Sequence, residues 1–304
     1  MREMNQANDK PMRFAFTVDV EEWFQVENLR PAYPLSSWEG APSRVEASVD
    51  AILRLFADEG VTGATFFTLG CVAERHPDMI RRIAQAGFEV ASHGMDHVTN
   101  FDDAQTKDKL RWNLSASKAL LAEITGQDIV GYRAPSFTVD NEVLDEVRAA
   151  GYRYDSSFND VSWHDRYGRV DLTGFEEIEP GVMRDANGFC EIPIRNLTLA
   201  GKTIPWGGGG YFRLLPAPVY RWGVRRTVRR TGSFMFYMHP WEVDPDQPRV
   251  DSLSMTSRFR HYNHLADTLP RLRAMARMLR GMGVNFVSAA ELADAAPDVQ
   301  RKSA

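Results

Sequence analysis

The chain has 304 residues, 43% of them hydrophobic, which is enough to bury one barrel-sized core. A formal net charge of -5 provides no basic face overall for phosphates, so nucleic acid is excluded as an expected partner. Cys71 and Cys190 are far apart and lie in no Cys-x-x-Cys, which excludes a disulfide framework and a structural zinc knuckle; both are expected to be reduced core residues.

Met1 to Met12 is polar and has no apolar stretch of signal-peptide length. No later segment is apolar for long enough to span a bilayer, so the cytoplasm is the expected compartment. Residues 1–13 and 296–304 read as tails around a single domain over 14–295.

Phe14 to Val20 is an apolar run rich in β-formers, as a buried parallel strand requires, and the carboxylates of Asp19, Glu21 and Glu22 stand at its end. Ser43-Arg44-Val45-Glu46 then reads as a capping box. It opens a helix in which Val45, Val49, Ile52, Leu53 and Phe56 recur until Gly60. The alternation continues with a strand over Ala64 to Leu69, a helix around Met79 to Ala86, and a strand over Phe88 to Ser92 that delivers His93 at its tip. A polar helix near Ala104 to Thr125 precedes a strand around Val130 to Ala134, and Asp140 caps a helix ending at Gly151.

Between Phe158 and Gly232 the periodicity is lost among Gly, Pro and Trp, so 158–232 reads as an inserted lobe with short strands, one near Phe189 to Ile194. Within it, Pro218 to Gly232 has helix start and stop signals and carries five arginines beside Tyr220, Trp222, Val224 and Val228. A solvated face is the plain reading. The other is peripheral contact with anionic lipid or a lipid-linked glycan. Regularity returns with Phe234 to His239, with a helix whose Leu265, Leu269, Leu272, Ala276 and Leu279 share a face, and with Asn285 to Ser288. The fold class is therefore α/β, a distorted (β/α) barrel with an inserted lobe and a C-terminal extension.

His93 and His97, in Ser92-His93-Gly94-Met95-Asp96-His97, share a rim with Asp19 and Glu21. Two imidazoles and a carboxylate make an open three-ligand metal site that leaves room for water and substrate, the arrangement of a hydrolase. On an extended segment Asp19 and Glu21 point to one side and Val20 to the other, so one carboxylate can bind metal while the other takes a proton. Glu22 should face away as a solvated rim carboxylate. Gly207 to Gly210 is followed by no Lys-Ser/Thr, which argues against a phosphate loop and for a flexible or tightly turned lip.

These segments resemble the NodB-like polysaccharide deacetylases, metal-dependent carbohydrate esterases. The match lies in Thr17-Val18-Asp19-Val20-Glu21, His93 to His97, Arg133-Ala134-Pro135-Ser136-Phe137, Tyr154-Asp155-Ser156-Ser157 and Tyr237-Met238-His239-Pro240-Trp241-Glu242, and in their order. Gly207 to Arg213 and Arg258 to Tyr262 look like the branch found with exosortase-linked exopolysaccharide loci. The resemblance implies a barrel of seven strands and removal of N-acetyl groups from N-acetylhexosamine units of a polysaccharide during exopolysaccharide assembly. It further implies Asp19 as general base, His93 and His97 as metal ligands, His239 as general acid, Arg133 paired with Asp19, and Asp155 beside His239, with Asp160 as the competing carboxylate.

Many relatives have Asp-Asp in the first motif, where this chain has Asp19-Val20. Three outcomes follow: Glu21 becomes the third ligand, the histidines hold an ion weakly, or no ion binds; the side shared with Asp19 favours Glu21. Zinc suits this ligand set, and cobalt, nickel or manganese accept it too. Phe137, Trp163, Tyr211 and Trp241 are candidates for contact with sugar, with core packing an equal alternative for the aromatic rings. Two other functions compete: hydrolysis of a cyclic amide such as allantoin by the same fold, and a non-catalytic glycan-binding scaffold.

Overall fold

The computed structural model describes residues 11–98, 106–159, 170–199 and 202–295. In chain order, β1 (Arg13–Val20) leads to α1 (Val45–Glu59), β2 (Ala64–Thr68), α2 (Gly70–Arg75), α3 (Pro77–Gln85) and β3 (Glu89–Ser92). Next come α4 (Lys107–Thr125), β4 (Gly131–Tyr132), α5 (Asn141–Ala149) and β5 (Tyr154–Asp155). Short strands follow: β6 (Glu176–Glu179), β7 (Val182–Arg184), β8 (Cys190–Glu191), β9 (Leu197–Leu199) and β10 (Lys202–Ile204). The chain ends with α6 (Gly209–Leu214), α7 (Ala217–Thr231), β11 (Ser233–Met238), α8 (Met255–Tyr262), α9 (Leu265–Gly281), β12 (Asn285–Phe286) and α10 (Ala289–Ala293).

Seven strands run parallel in the order β11-β1-β2-β3-β4-β5-β8, with β12 on the start of β1. The sheet curls into a half-barrel. β6 and β7 extend its far edge as an antiparallel hairpin, and β9 and β10 pair separately. Beyond β8 and beside β11 the sheet continues among the described residues only as isolated bridges, Asn159 with Ile194 and Gly208 with Tyr237, where Ile194 N donates to Phe158 O and Tyr237 N to Gly207 O, each at 2.8 Å. The stretch read as an inserted lobe is thus not separate from the barrel, because β8 within it is the seventh parallel strand. The strand expected near Phe189 to Ile194 is present as β8, but its pairing with β5 is not visible in local periodicity.

The two-residue alternation of β1 divides the core. Phe14, Phe16, Val18 and Val20 pack outward with Val49, Ile52 and Phe56 of α1, whereas Ala15 packs inward with Phe67, Ala91 and Met235. Thr17 and Asp19 share the inward side and are fully buried, so the upper interior is polar and needs internal partners.

Asp140 caps α5 as expected, accepting from Val143 N at 2.9 Å. The capping box at Ser43 does not form. Ser43 donates to Glu22 instead, and Glu22 also accepts from Arg44 N at 3.0 Å, so α1 begins at Arg44 without a side-chain cap. Glu22 is correspondingly buried rather than a solvated rim group. Both cysteines are free, Cys190 buried and Cys71 half-buried. Among the described residues no helix is long and apolar enough to cross a membrane.

Candidate active site

Asp19, Glu21, His93, Arg133 and His239 all stand at or just beyond the C-terminal ends of parallel strands, where an α/β sheet exposes its loops. Asp19, Glu21, His93, His97 and His239 line one cavity of about 160 Å³, with Phe137, Tyr237 and Trp241 among its walls. At roughly 30 Å³ per water, that volume admits a few waters or one small acyl group.

Glu21, His93 and His97 offer one ligand atom each, all within 4.8 Å of one another, and all three side chains are buried. The turn that brings His97 back toward His93 depends on Gly94, whose φ of +83° favours glycine. Asn113 on α4 then fixes that turn by accepting from Met95 N. His93 Nδ1 donates to Arg133 O at 2.7 Å, which leaves the Nε2 lone pair for a ligand. Burial lowers the His93 pKa to about 4, against the pull of Asp19 and Glu21, so the ring is neutral as metal binding requires.

Glu21 Oε2 lies 2.8 Å from His97 Nε2, yet the approach makes no directed hydrogen bond, and Glu21 Oε2 and His97 Nδ1 are buried without hydrogen-bond partners. An orphaned carboxylate oxygen between two imidazoles costs folding energy unless something else satisfies it. A divalent cation fits these donors. Burial alone would raise the Glu21 pKa, but His97, His239 and His93 outweigh it and hold the carboxyl down to about 2.

Asp19 Oδ1 accepts from Arg133 Nη1 at 2.7 Å. Arg133 has no exposed surface; it also donates to Thr17 Oγ1 at 2.8 Å, Ser156 O at 2.9 Å and Ser156 Oγ at 3.0 Å, and its Cζ lies 4.0 Å from the Phe67 ring centre. A buried pair held on this many sides is rigid, and it fixes the Asp19 carboxylate toward the cavity.

His239 faces Glu21 across the cavity, with Nε2 3.5 Å from Glu21 Oε1. Its Nδ1 lies 3.0 Å from Glu242 Oε1, which also accepts from His239 N at 3.0 Å. Glu242 Oε2 accepts in turn from the buried Arg213 Nε at 2.7 Å. Burial would lower the His239 pKa, but the charges of Glu21 and Glu242 overcome it and raise it to about 9, favouring the imidazolium.

The expectation for Asp155 is not met. Its oxygens accept from Ser157 N at 2.8 Å and Ser157 Oγ at 2.7 Å, and the group that holds His239 is Glu242. Asp160, the other candidate, lies outside the described residues. Asp155 instead pairs in register with Glu191 of β8, and burial followed by the charge of Asp155 raises the Glu191 pKa far above its ordinary value. Burial pushes both carboxyls up, so the pair favours a shared proton. Unfolding releases that proton at any pH above the ordinary carboxyl range, so this contribution to stability is full in acid and fades as pH rises. Glu191→Gln should therefore flatten the loss of thermal stability between weakly acid and alkaline pH; an unchanged slope in melting temperature against pH would contradict the protonated pair.

Phe137 and Trp241 line the cavity. Trp241 is only 8% exposed; its ring stacks between His239 at 5.4 Å and His261 at 4.3 Å, with Nε1 3.4 Å from Glu21 Oε1. It is a packed wall rather than an open platform. Tyr211 does not line the cavity, because the buried positions of α6 are Gly209, Phe212 and Arg213. Trp163 lies outside the described residues. Ser136 and Phe137 hold φ values of +54° and +59°, strained for residues with a β-carbon, at the lip of the cavity.

Glu242 and Arg213 are the functional residues that sequence reasoning missed as such. Glu242 carried a legible signal, three residues beyond His239 in a Pro-led turn, the spacing of a reciprocal cap. Arg213 carried none beyond its place after the glycines. A β-carbon on Gly209 would lie 2.3 Å from the Glu242 oxygens, so glycine lets α6 close onto that carboxylate.

The polysaccharide deacetylase family model matches residues 37–154, and a domain of unknown function (DUF3473) matches residues 156–292. A peptidoglycan deacetylase-like protein of Gibberella zeae is 28% identical over 134 residues, 43% of this chain and 38% of that protein. A chitooligosaccharide deacetylase of Sinorhizobium fredii is 32% identical over 100 residues, 33% of this chain and 46% of that one. The chain thus spans less than half the length of these relatives. The crystal structure of a candidate polysaccharide deacetylase from Mycobacterium smegmatis superposes with a TM-score of 0.60 at 19% identity, over 94% of this chain and 91% of that one, a likeness of fold. β8 of the second matched segment pairs with β5 at the end of the first, and β11 joins the same sheet through β1, which precedes both segments. The chain carries a polysaccharide deacetylase domain of the NodB type.

Proposed function

We propose that the protein is a metal-dependent hydrolase that removes acetyl groups from N-acetylhexosamine units of a polysaccharide or its precursor. The observation that carries this reading is the convergence of Asp19 and His239 with the cluster of Glu21, His93 and His97 on one small cavity. The relatives named for peptidoglycan and chitooligosaccharide deacetylation support the substrate class.

A divalent cation on Glu21, His93 and His97, zinc by its preference for imidazole with carboxylate, would supply Lewis acidity at the acetyl carbonyl oxygen and acidify the attacking water. Asp19, kept in place by Arg133, takes a proton from that water as its oxygen bonds to the acetyl carbon. His239 delivers its Nε2 proton to the sugar nitrogen as the carbon–nitrogen bond breaks, leaving acetate and a free amine. Glu242 holds the donor proton on Nε2 by fixing Nδ1. Binding alone needs neither a base nor an acid, so a glycan-binding scaffold leaves this pair without a use.

A place in exopolysaccharide assembly is part of the proposal. It rests on Gly207 to Arg213 and Arg258 to Tyr262, which meet where Arg213 donates to Arg260 O, His261 O and Asn263 O at 3.2, 3.1 and 2.7 Å. The enzyme reading is tested by acetate release from an N-acetylated chitooligosaccharide after loading with zinc, beside an allantoin arm. Acetate from the oligosaccharide and no turnover of allantoin is expected; the reverse would assign the cyclic-amide reaction.

Glu242→Gln should lower kcat by about 100-fold, in the range of one acid–base contribution, with KM little changed. Gly209→Ala should act in the same direction by displacing the Glu242 carboxylate. A rise in KM with kcat unchanged would assign Glu242 to substrate binding instead.

A further inference from the structure

On the outer face of α7, Arg221, Arg225, Arg226, Arg229 and Arg230 make no ion pair among the described residues; Arg226 has only the Trp222 ring, 5.9 Å away. The neighbouring arginines of α9 are placed differently. Arg273 pairs with Glu59 and Asp58 at 2.7 and 3.0 Å, and Arg277 with Glu59 at 2.9 Å. Cations four residues apart on a helix repel one another, so the α7 cluster costs stability that no carboxylate among the described residues offsets. In a chain of net charge -5, such a concentration of unneutralised arginine marks a surface for an external anion.

Arg225 and Arg229 separate two open grooves of about 720 and 560 Å³. Between α7 and α9 the larger groove adds an apolar floor that includes Pro270, Ala274, Met278 and Met282. Large apolar side chains flank the arginines in solvent: Trp222 is 49% exposed, Val219 46% and Leu214 47%. α7 ends immediately before β11 begins, so its first two turns, with Val219, Trp222 and nearby Leu214, lie toward the rim that carries the active site.

We propose that this face docks the protein on the anionic phospholipid headgroups of a bilayer surface, the arginines meeting phosphates and Trp222, Val219 and Leu214 entering the headgroup layer. Basic residues beside exposed tryptophan and aliphatic side chains are what an interfacial helix presents. A soluble polyanion would engage the arginines and leave the apolar side chains in water. Docking is independent of the deacetylation reading, and the two fail separately.

The test is co-sedimentation of the full chain with phosphatidylcholine vesicles, with and without one-third phosphatidylglycerol, at low and physiological salt. Binding only to the anionic vesicles, weakened by salt, is expected. Each basic residue at such a surface strengthens partitioning by about fivefold, so Arg225→Glu/Arg226→Glu/Arg229→Glu together should weaken it by at least about 100-fold. That variant should fold and melt no lower than the wild type. Trp222→Ser should weaken vesicle binding while leaving any binding to poly(U) unchanged. Equal binding to neutral vesicles, binding that survives charge reversal, or binding to poly(U) without binding to anionic vesicles would overturn the proposal.

Discussion

Asp19→Asn is expected to lower kcat by about a thousandfold, within the range of a lost general base, while KM and bound metal stay close to wild type. The amide still accepts from Arg133 Nη1, so the buried guanidinium keeps a partner and the chain folds. Asp19→Ala removes that partner. Stripping one side of a buried pair costs about 3–5 kcal/mol, so alanine should show a large fall in melting temperature as well as lost activity. Steady-state rates and thermal unfolding on both variants separate the chemical role from the structural one. A substantial residual rate in the asparagine variant would remove Asp19 from the proton transfer.

Metal removal should have an effect at least as large. A cation of the zinc type lowers the pKa of water by about nine units, so a stripped enzyme at neutral pH lacks its nucleophile. Dialysis against a strong chelator should take acetate release to background, and stoichiometric zinc should restore it. His97→Ala removes a ligand without disturbing the hydrogen bond of His93 to Arg133 O, and its activity should recover only at far higher zinc. Undiminished activity after chelation, with no metal left by elemental analysis, would contradict a metal-dependent reaction.

The parts of the site legible in the sequence are those fixed by local geometry. Asp19 and Glu21 share a side because an extended chain alternates, and Val20 does pack outward with the core. His93 and His239 sit at strand ends because an apolar run stops there. Phe137 and Trp241 reach the cavity wall because they lie next to such ends. The parallel strands that occupy long apolar runs, β1, β2, β3 and β11, were equally readable.

Less was legible where a residue's partner is distant in sequence. Glu242 is only three positions from His239, but its ionised state depends on Arg213, 29 residues earlier on a helix that glycine allows to approach. The resemblance implies Asp155 as the partner of His239; its partners are Ser157 and, across the sheet, Glu191. Ser43 read as a cap because capping is local, whereas Glu22, brought near by folding, competed for its hydroxyl. The strand at β8 is readable near Phe189 to Ile194, but only within an apparent lobe, since its position in the parallel sheet follows only from pairing with β5.

The central claim is that Glu21 replaces the usual second aspartate and completes a single cation site with His93 and His97. An anomalous-difference map of crystals equilibrated with zinc tests this most directly. One peak is predicted, about 2.0–2.2 Å from a Glu21 carboxylate oxygen and about 2.0–2.1 Å from a nitrogen of each histidine. A peak held by the histidines alone with Glu21 turned away, or no peak in the cavity at all, would contradict the account.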